Sequence, residues 1–343
     1  MQQWIKEVAR GKKGSKDLDY HQTKAAAQAI VNGEATDAQI AAYLTGLRLK
    51  TESTEELLAF VHVFQENCQK LNLANHQIID LACPYNGRNS FTGTIPAAIL
   101  LAESGLPVFL HSSDSLPPKY GITMKAVLEE MGINVSQSAS SIENTMDKAG
   151  IGFASTEAYC PGLGRLRKIR EEMGIRTLVN TVEKLLNISQ AETLMMGAFH
   201  RTAINKIAPL FKELPYKNVY IVQGMEGSED LPVHRNSFIF KLSSDGMESC
   251  IVKPEDYGLL VDEWNSSIQL SAKEQSDISL ALLSGERSGA LRYYYHQVLF
   301  NVGIRYHLFG ISSSIEEGID RAKEQLRTQK GLRQLGKWKA SQS

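Results

Sequence analysis

From residue 77 onward, short apolar runs alternate with longer stretches of helical periodicity, and this alternation restricts the fold more than any other feature. Runs over 78–82, 107–111, 151–154, 219–223 and 238–242 read as strands, and helical patterns over 97–104, 124–131 and 202–211 lie between them. Parallel neighbours need a crossover and a helix supplies it, so the alternation selects a largely parallel sheet covered by helices. Residues 1–72 read as helical. Thr36-Asp37-Ala38-Gln39 and Ser53-Thr54-Glu55-Glu56 are capping boxes. The first opens a helix with Ile40, Tyr43, Leu44 and Leu47 on one face; the second turns Leu57, Leu58, Val61 and Phe64 inward. Asn32-Gly33 stops the preceding helix. Helical patterns return over 273–284, 289–308 and 315–330, the last behind a third capping box at Ser314-Ile315-Glu316-Glu317. The basic, polar tail beyond Lys330 is expected to fray.

At 343 residues, 43% of them hydrophobic, the chain can build a substantial core in two domains or lobes. A formal net charge of −1 commits it to neither nucleic acid nor membrane, so such a partner would need a local patch. Cys68, Cys83, Cys160 and Cys250 are scattered with no C-x-x-C pair, which reads as reduced thiols of a cytoplasmic protein. The N-terminus lacks the apolar core of a signal peptide. The most apolar stretch, 95–110, is interrupted by Glu103 and two prolines and is not expected to span a membrane.

The loop between the first strand and its helix is where α/β proteins usually hold a phosphate, because glycines and the helix N-terminus present N–H groups and favourable partial charge. Here it reads Cys83-Pro84-Tyr85-Asn86-Gly87-Arg88-Asn89-Ser90. It has one glycine, a proline without an N–H, a bulky tyrosine and a cationic arginine. Arg88 could replace lost donors by a bidentate phosphate contact or be a solvated surface arginine, and Asn86-Gly87 could be a plain tight turn.

Several segments carry a family resemblance. Gly33–Leu44 followed by Leu47-Arg48-Leu49-Lys50, then Gly174-Ile175-Arg176-Thr177-Leu178-Val179-Asn180, Gly197-Ala198-Phe199-His200 and the region 285–318 together resemble the anthranilate phosphoribosyltransferase family over essentially the whole chain. The resemblance implies a small N-terminal helical domain, residues 1–72 with a helical contribution from 161–188. It also implies a larger α/β domain, residues 73–343, with a mostly parallel sheet flanked by helices. It further implies a homodimer joined through the helical part, and transfer of ribosyl 5-phosphate from phosphoribosyl pyrophosphate (PRPP) to the amine of anthranilate with Mg2+.

The active-site motifs depart from the family. Its G-T-G-G-D becomes residues 83–87, and its N-x-S-T becomes Gly93-Thr94-Ile95-Pro96. In its second loop His111, Ser115, Lys119 and Gly121 survive, whereas Leu110 and Asp114 replace cations and Pro117 and Pro118 replace serines. Charge-assisted hydrogen bonds are worth roughly 1.5–3 kcal/mol each, so losing three would weaken a PRPP site by orders of magnitude. The resemblance makes Asn86, Gly87, Arg88, His111, Ser115 and Lys119 the phosphate-binding candidates. It sets Arg170 at the anthranilate carboxylate as the catalytic-site candidate, and it makes Glu229-Asp230 the metal ligands. Each has a plainer reading. Arg170 could pair with Glu171 or Glu172, Glu229-Asp230 could be a polar turn, and His111 and His200 could be packed histidines.

The departures also resemble a divergent branch of the family that keeps the dimeric fold, lacks the standard PRPP motifs and in some members binds nucleic acid. Arg165, Arg167, Lys168, Arg176 and Lys184 would then form a basic groove across a dimer, or else a solvated helix face. Tyr293-Tyr294-Tyr295 could stack bases, though at least one should face the core. Two functions follow: a pentosyl transferase with altered substrates, or a non-catalytic nucleic-acid-binding homodimer.

Overall fold

The computed structural model describes every residue except 12, 74–76, 84, 85, 245, 264, 266 and 343, so Pro84 and Tyr85 of the first loop lie outside the described residues. Helices α1 (Gln2–Val8), α2 (Tyr20–Val31), α3 (Asp37–Lys50) and α4 (Thr54–Glu66) come first. The capping boxes at Thr36 and Ser53 are formed, and Asp19 with Gln22 makes another at the start of α2. Each satisfies backbone N–H groups that the first helical turn would otherwise leave unbonded.

The α/β part runs β1 (Ile79–Ala82), α5 (Thr94–Glu103), β2 (Val108–Ser112), α6 (Met124–Glu130), α7 (Ala139–Ala149) and β3 (Ile151–Ser155). Next come α8 (Thr156–Tyr159), α9 (Pro161–Met173) and α10 (Val179–Val182), and α9 returns to pack against α2 and α3. Then follow β4 (Thr193–Gly197), α11 (Arg201–Ile207), β5 (Asn218–Val222), β6 (Ser237–Ser243) and β7 (Gly246–Val252). Helices α12 (Ala272–Leu283), α13 (Arg292–Leu308), α14 (Ile315–Arg327) and α15 (Lys330–Ala340) close the chain.

The sheet order is β3-β2-β1-β4-β5-β6-β7, parallel from β3 to β5 and antiparallel across β5–β6 and β6–β7. Every residue of β1 and β2 is buried, which is why these strands are continuous apolar runs rather than alternating ones. From β1 the chain winds one way to β2 and β3, and later the other way from β4 to β5. The crevice between the carboxyl ends of β1 and β4 is therefore the topological switch point, where open α/β sheets bind ligands. Among the described residues no helix is long and apolar enough to cross a membrane.

Four expectations need correction. Strand β4 was not anticipated, because Thr-Leu-Met-Met-Gly lacks the β-branched signature; its burial between β1 and β5 decides it. Strand β7 was not anticipated either, since it lies exposed at the sheet edge and has no apolar alternation to read. The tail beyond Lys330 does not fray. It forms α15, an amphipathic helix packed on α5 and α7, with Leu335 and Trp338 buried and its lysines facing out. At α14, Ser314 caps the Glu317 N–H, but the Glu317 carboxylate bonds Ser313 instead of closing the expected box.

Candidate functional site

The loops following β1 and β2 are zipped to each other. Arg88 N–H donates to Ile122 O at 2.9 Å, Ile122 N–H returns to Arg88 O at 3.0 Å, and Gly121 N–H donates to Asn86 O at 3.0 Å. Ser115 Oγ donates to Gly121 O at 2.8 Å. The approach is so close that a Cβ on Gly87 (φ +68°) would lie 2.1 Å from Gly121 O. The Arg88, Gly121 and Ile122 N–H groups are thus used between the loops and are not offered to a ligand.

Arg88 is not a solvated arginine. It is 2% exposed and reaches inward to Asp230 Oδ2 and Ser228 Oγ, both at 2.8 Å, and to the carbonyl oxygens of Ser90 and Phe91. Asp230 also accepts from Thr94 N–H at 3.0 Å, Thr94 Oγ1 at 2.8 Å and Arg305 at 3.3 Å. Burial pushes the Asp230 carboxyl upward, but the Arg88 and Arg305 guanidiniums and the Thr94 bonds outweigh it and hold the group below its usual range. Glu229, fully buried, shares the single Thr94 hydroxyl proton with Asp230, its Oε1 lying 2.5 Å from Oγ1, and accepts from Cys83 Sγ at 3.0 Å, while its Oε2 has no partner among the described residues.

A hydrated magnesium needs near-octahedral oxygens and keeps several waters. One free carboxylate oxygen in a closed, guanidinium-lined core does not fit that ion, and among the described residues no trio of His, Cys, Asp or Glu could hold a metal. The Glu229-Asp230 pair thus serves as the anionic anchor of the first loop.

Arg170 is likewise engaged, neither with Glu171 nor with Glu172, but with buried Glu183 at 2.6 Å. Burial raises the Glu183 carboxyl above its ordinary value even against Arg170. His111 Nε2 meets Asp80 at 2.9 Å inside the sheet. The basic run is largely neutralised. Arg167 binds Glu157 at 2.8 Å, Glu171 at 3.1 Å and the Ser115 carbonyl at 2.8 Å, and Lys168 faces Glu172 at 3.7 Å. Arg165 is exposed beside Gly33. The three tyrosines pack: Tyr293 on His234, Tyr294 edge-on to Phe91, and Tyr295 under Arg287.

What the fold does bring together lies at the switch point. A cleft of about 410 Å³ opens between the carboxyl ends of β1 and β4 and the C-terminal turn of α3, with Arg48, Asn86, Arg176, Glu183, Lys184 and His200 on its walls. Arg176 stacks over Phe199, 4.6 Å from the ring centroid. Burial lowers its pKa from the ordinary arginine value, and Arg48 lowers it further by like-charge repulsion. Lys184 donates to Gly197 O at 2.9 Å and Gly227 O at 3.3 Å, and burial pulls its ammonium below the ordinary lysine range. Asn86 is 4% exposed and its Nδ2 donor has no partner among the described residues. Three cations, Arg48, Arg176 and Lys184, therefore share the cleft with the carboxylates Glu52 and Glu183 and with an Asn86 amide donor that has no partner among the described residues. A larger groove of about 1030 Å³, along residues 205–219 and the β6–β7 hairpin, shares no lining residue with the cleft.

Sequence reasoning overlooked Arg48 and Phe199 as cleft residues, although both stand inside the segments that carry the resemblance. His200 lines the cleft instead of packing inside. Glu226, described below, was also overlooked.

Comparison with known proteins gives two family models on this chain. The helical bundle domain of a glycosyl transferase family matches residues 2–68, and the α/β domain of that family matches residues 85–332. An anthranilate phosphoribosyltransferase of Persephonella marina is 27% identical over 340 residues, covering 97% of both chains. That of Endomicrobium trichonymphae is 28% identical over 93% of each, and an uncharacterised protein of Aquifex aeolicus is 27% identical over 95% of this chain and 98% of its own. The fold matches anthranilate phosphoribosyltransferase from Thermus thermophilus (TM-score 0.82, 20% identity, 98% of each chain). It also matches the Saccharomyces cerevisiae enzyme in complex with PRPP and Mg (TM-score 0.83, 19% identity, 99% of this chain and 97% of that one).

Proposed function

The chain belongs to this glycosyl transferase family, and we propose that it binds a phosphorylated sugar of the PRPP kind in the switch-point cleft and transfers the pentosyl group to an acceptor there. One observation carries the reading: Arg48, Arg176 and Lys184 line, with an Asn86 amide that has no partner among the described residues, a cleft of about 410 Å³ at the carboxyl ends of β1 and β4. In such a transfer the bond from the anomeric carbon to the leaving oxygen breaks, and the diphosphate departs with the bonding electrons. Fixed cations at that oxygen stabilise the developing charge, and holding both reactants in one cleft supplies much of the remaining acceleration. The acceptor forms the new bond to the anomeric carbon, and its proton passes to the departing diphosphate or to water.

The reading assigns magnesium no step at Glu229-Asp230. It takes the acceptor to be a nucleophile other than anthranilate, because Arg170 is engaged with Glu183. We also read the protein as a cytoplasmic homodimer paired through its helical part, as the family resemblance implies.

Thermal-shift titration with PRPP and magnesium, run beside single-stranded DNA at two salt concentrations, tests the proposal. PRPP should raise the melting temperature, and Arg176→Ala should lose the shift while the unliganded protein melts as before. No shift at millimolar PRPP, with DNA binding that weakens steeply with salt, would overturn it in favour of nucleic-acid binding.

A further inference from the structure

Glu226 lies in the tight turn Met225–Gly227 that follows β5, with φ +51°, a left-handed backbone that glutamate rarely adopts. Its carboxylate reaches into the zipped loops. Oε1 accepts from Asn89 N–H at 3.1 Å and from Ser90 N–H at 2.8 Å, and Oε2 accepts from Asn89 N–H at 3.2 Å. Lys119, from the loop after β2, meets the same carboxylate. Two consecutive backbone N–H groups and a lysine ammonium are the donor set that holds a phosphate oxygen. The pair is near the surface, with side-chain exposures of 24% for Lys119 and 22% for Glu226, so a soluble ligand can compete for it. The turn also borders the cleft, since Gly227 O accepts from Lys184 and the Phe199 ring packs against Gly227.

We infer that Glu226 is a tethered anion: it fills an oxyanion cradle made by Asn89 N–H, Ser90 N–H and Lys119, and a phosphorylated ligand entering the adjacent cleft must displace it. The residue would then set how strongly the protein accepts polyanions. The inference rests on the proposed function only in taking the cleft as the way in.

Calorimetric titration of the full chain with inorganic pyrophosphate, comparing wild type with Glu226→Gln and Glu226→Ala, reads it directly. Both variants remove the competing charge, so each should bind at least about tenfold tighter than wild type. Adding Lys119→Met should abolish the gain. Equal affinity in wild type and both variants, each with a native circular dichroism spectrum, would overturn it. Should neither variant fold, amide exchange in the wild type decides. Slow exchange at Asn89 and Ser90 that pyrophosphate perturbs supports the tether, and fast exchange in the free protein refutes it. A pyrophosphate gain in Glu226→Gln without any PRPP response in either protein would keep this inference and sink the proposed transfer.

Discussion

Asp230→Asn separates a structural carboxylate from a metal ligand. In the wild type this side chain is fully buried and faces two buried guanidiniums, Arg88 at 2.8 Å and Arg305 at 3.3 Å, along with Thr94. The amide keeps the shape but removes the charge, so both arginines lose their ionic partner while Arg88 retains Ser228 and the carbonyls of Ser90 and Phe91. Breaking one buried pair typically costs about 3–5 kcal/mol. For a chain of 343 residues that corresponds to a fall in melting temperature of about 4–7 °C. The Asp230 carboxyl is held below its usual range, so its contribution is complete above the unfolded value of about 3.9 and is lost only as pH falls through the lower folded value. The penalty should therefore be the same at any pH from about 6 to 8, with or without magnesium. Differential scanning calorimetry with and without millimolar magnesium measures it. A variant melting within about 2 °C of wild type would refute the structural reading. So would a magnesium-dependent stabilisation of wild type that the variant lacks.

Other substitutions probe neighbouring claims. Arg170→Met leaves Glu183 buried without its partner and raises its carboxyl further, so the group stabilises below the unfolded value of about 4.3 and costs stability as pH rises through the folded one. Urea midpoints should show a small loss near pH ~4.5 that grows to about 3–5 kcal/mol at neutral pH; a pH-independent midpoint equal to wild type would contradict the pair. Gly87→Ala forces a side chain into a left-handed backbone and against Gly121 O, and should cost at least about 2 kcal/mol while accelerating exchange of the Arg88 and Ile122 amides. Unchanged protection of those two amides would show that the loops are not zipped.

Local chemistry was what the sequence made readable. The capping boxes at Thr36 and Ser53 needed only four consecutive residues, and β1 and β2 announced themselves as apolar runs because both faces are covered. Strand β4 was silent, since methionines fit helix and strand alike and only its place between β1 and β5 makes it a strand. The polar tail misled because every lysine of α15 is visible in the sequence, whereas the surface that receives the helix is built by α5 and α7. The partners of Arg88 and Arg170 were hidden for the same reason. Asp230 comes from a loop after another strand, and Glu183 from the turn that follows α10. Sequence motifs showed which residues had departed from the family pattern, and only the fold showed that Arg88, Glu229 and Asp230 had been drawn into one closed cluster.

A crystal structure of the protein soaked with millimolar PRPP and magnesium bears most directly on where this chain holds its ligand. We expect the phosphorylated sugar in the cleft among Arg48, Arg176 and Lys184, with the Arg88–Asp230 pair intact. A diphosphate–magnesium complex seated on Glu229 and Asp230, or a cleft that stays empty at that concentration, would contradict it.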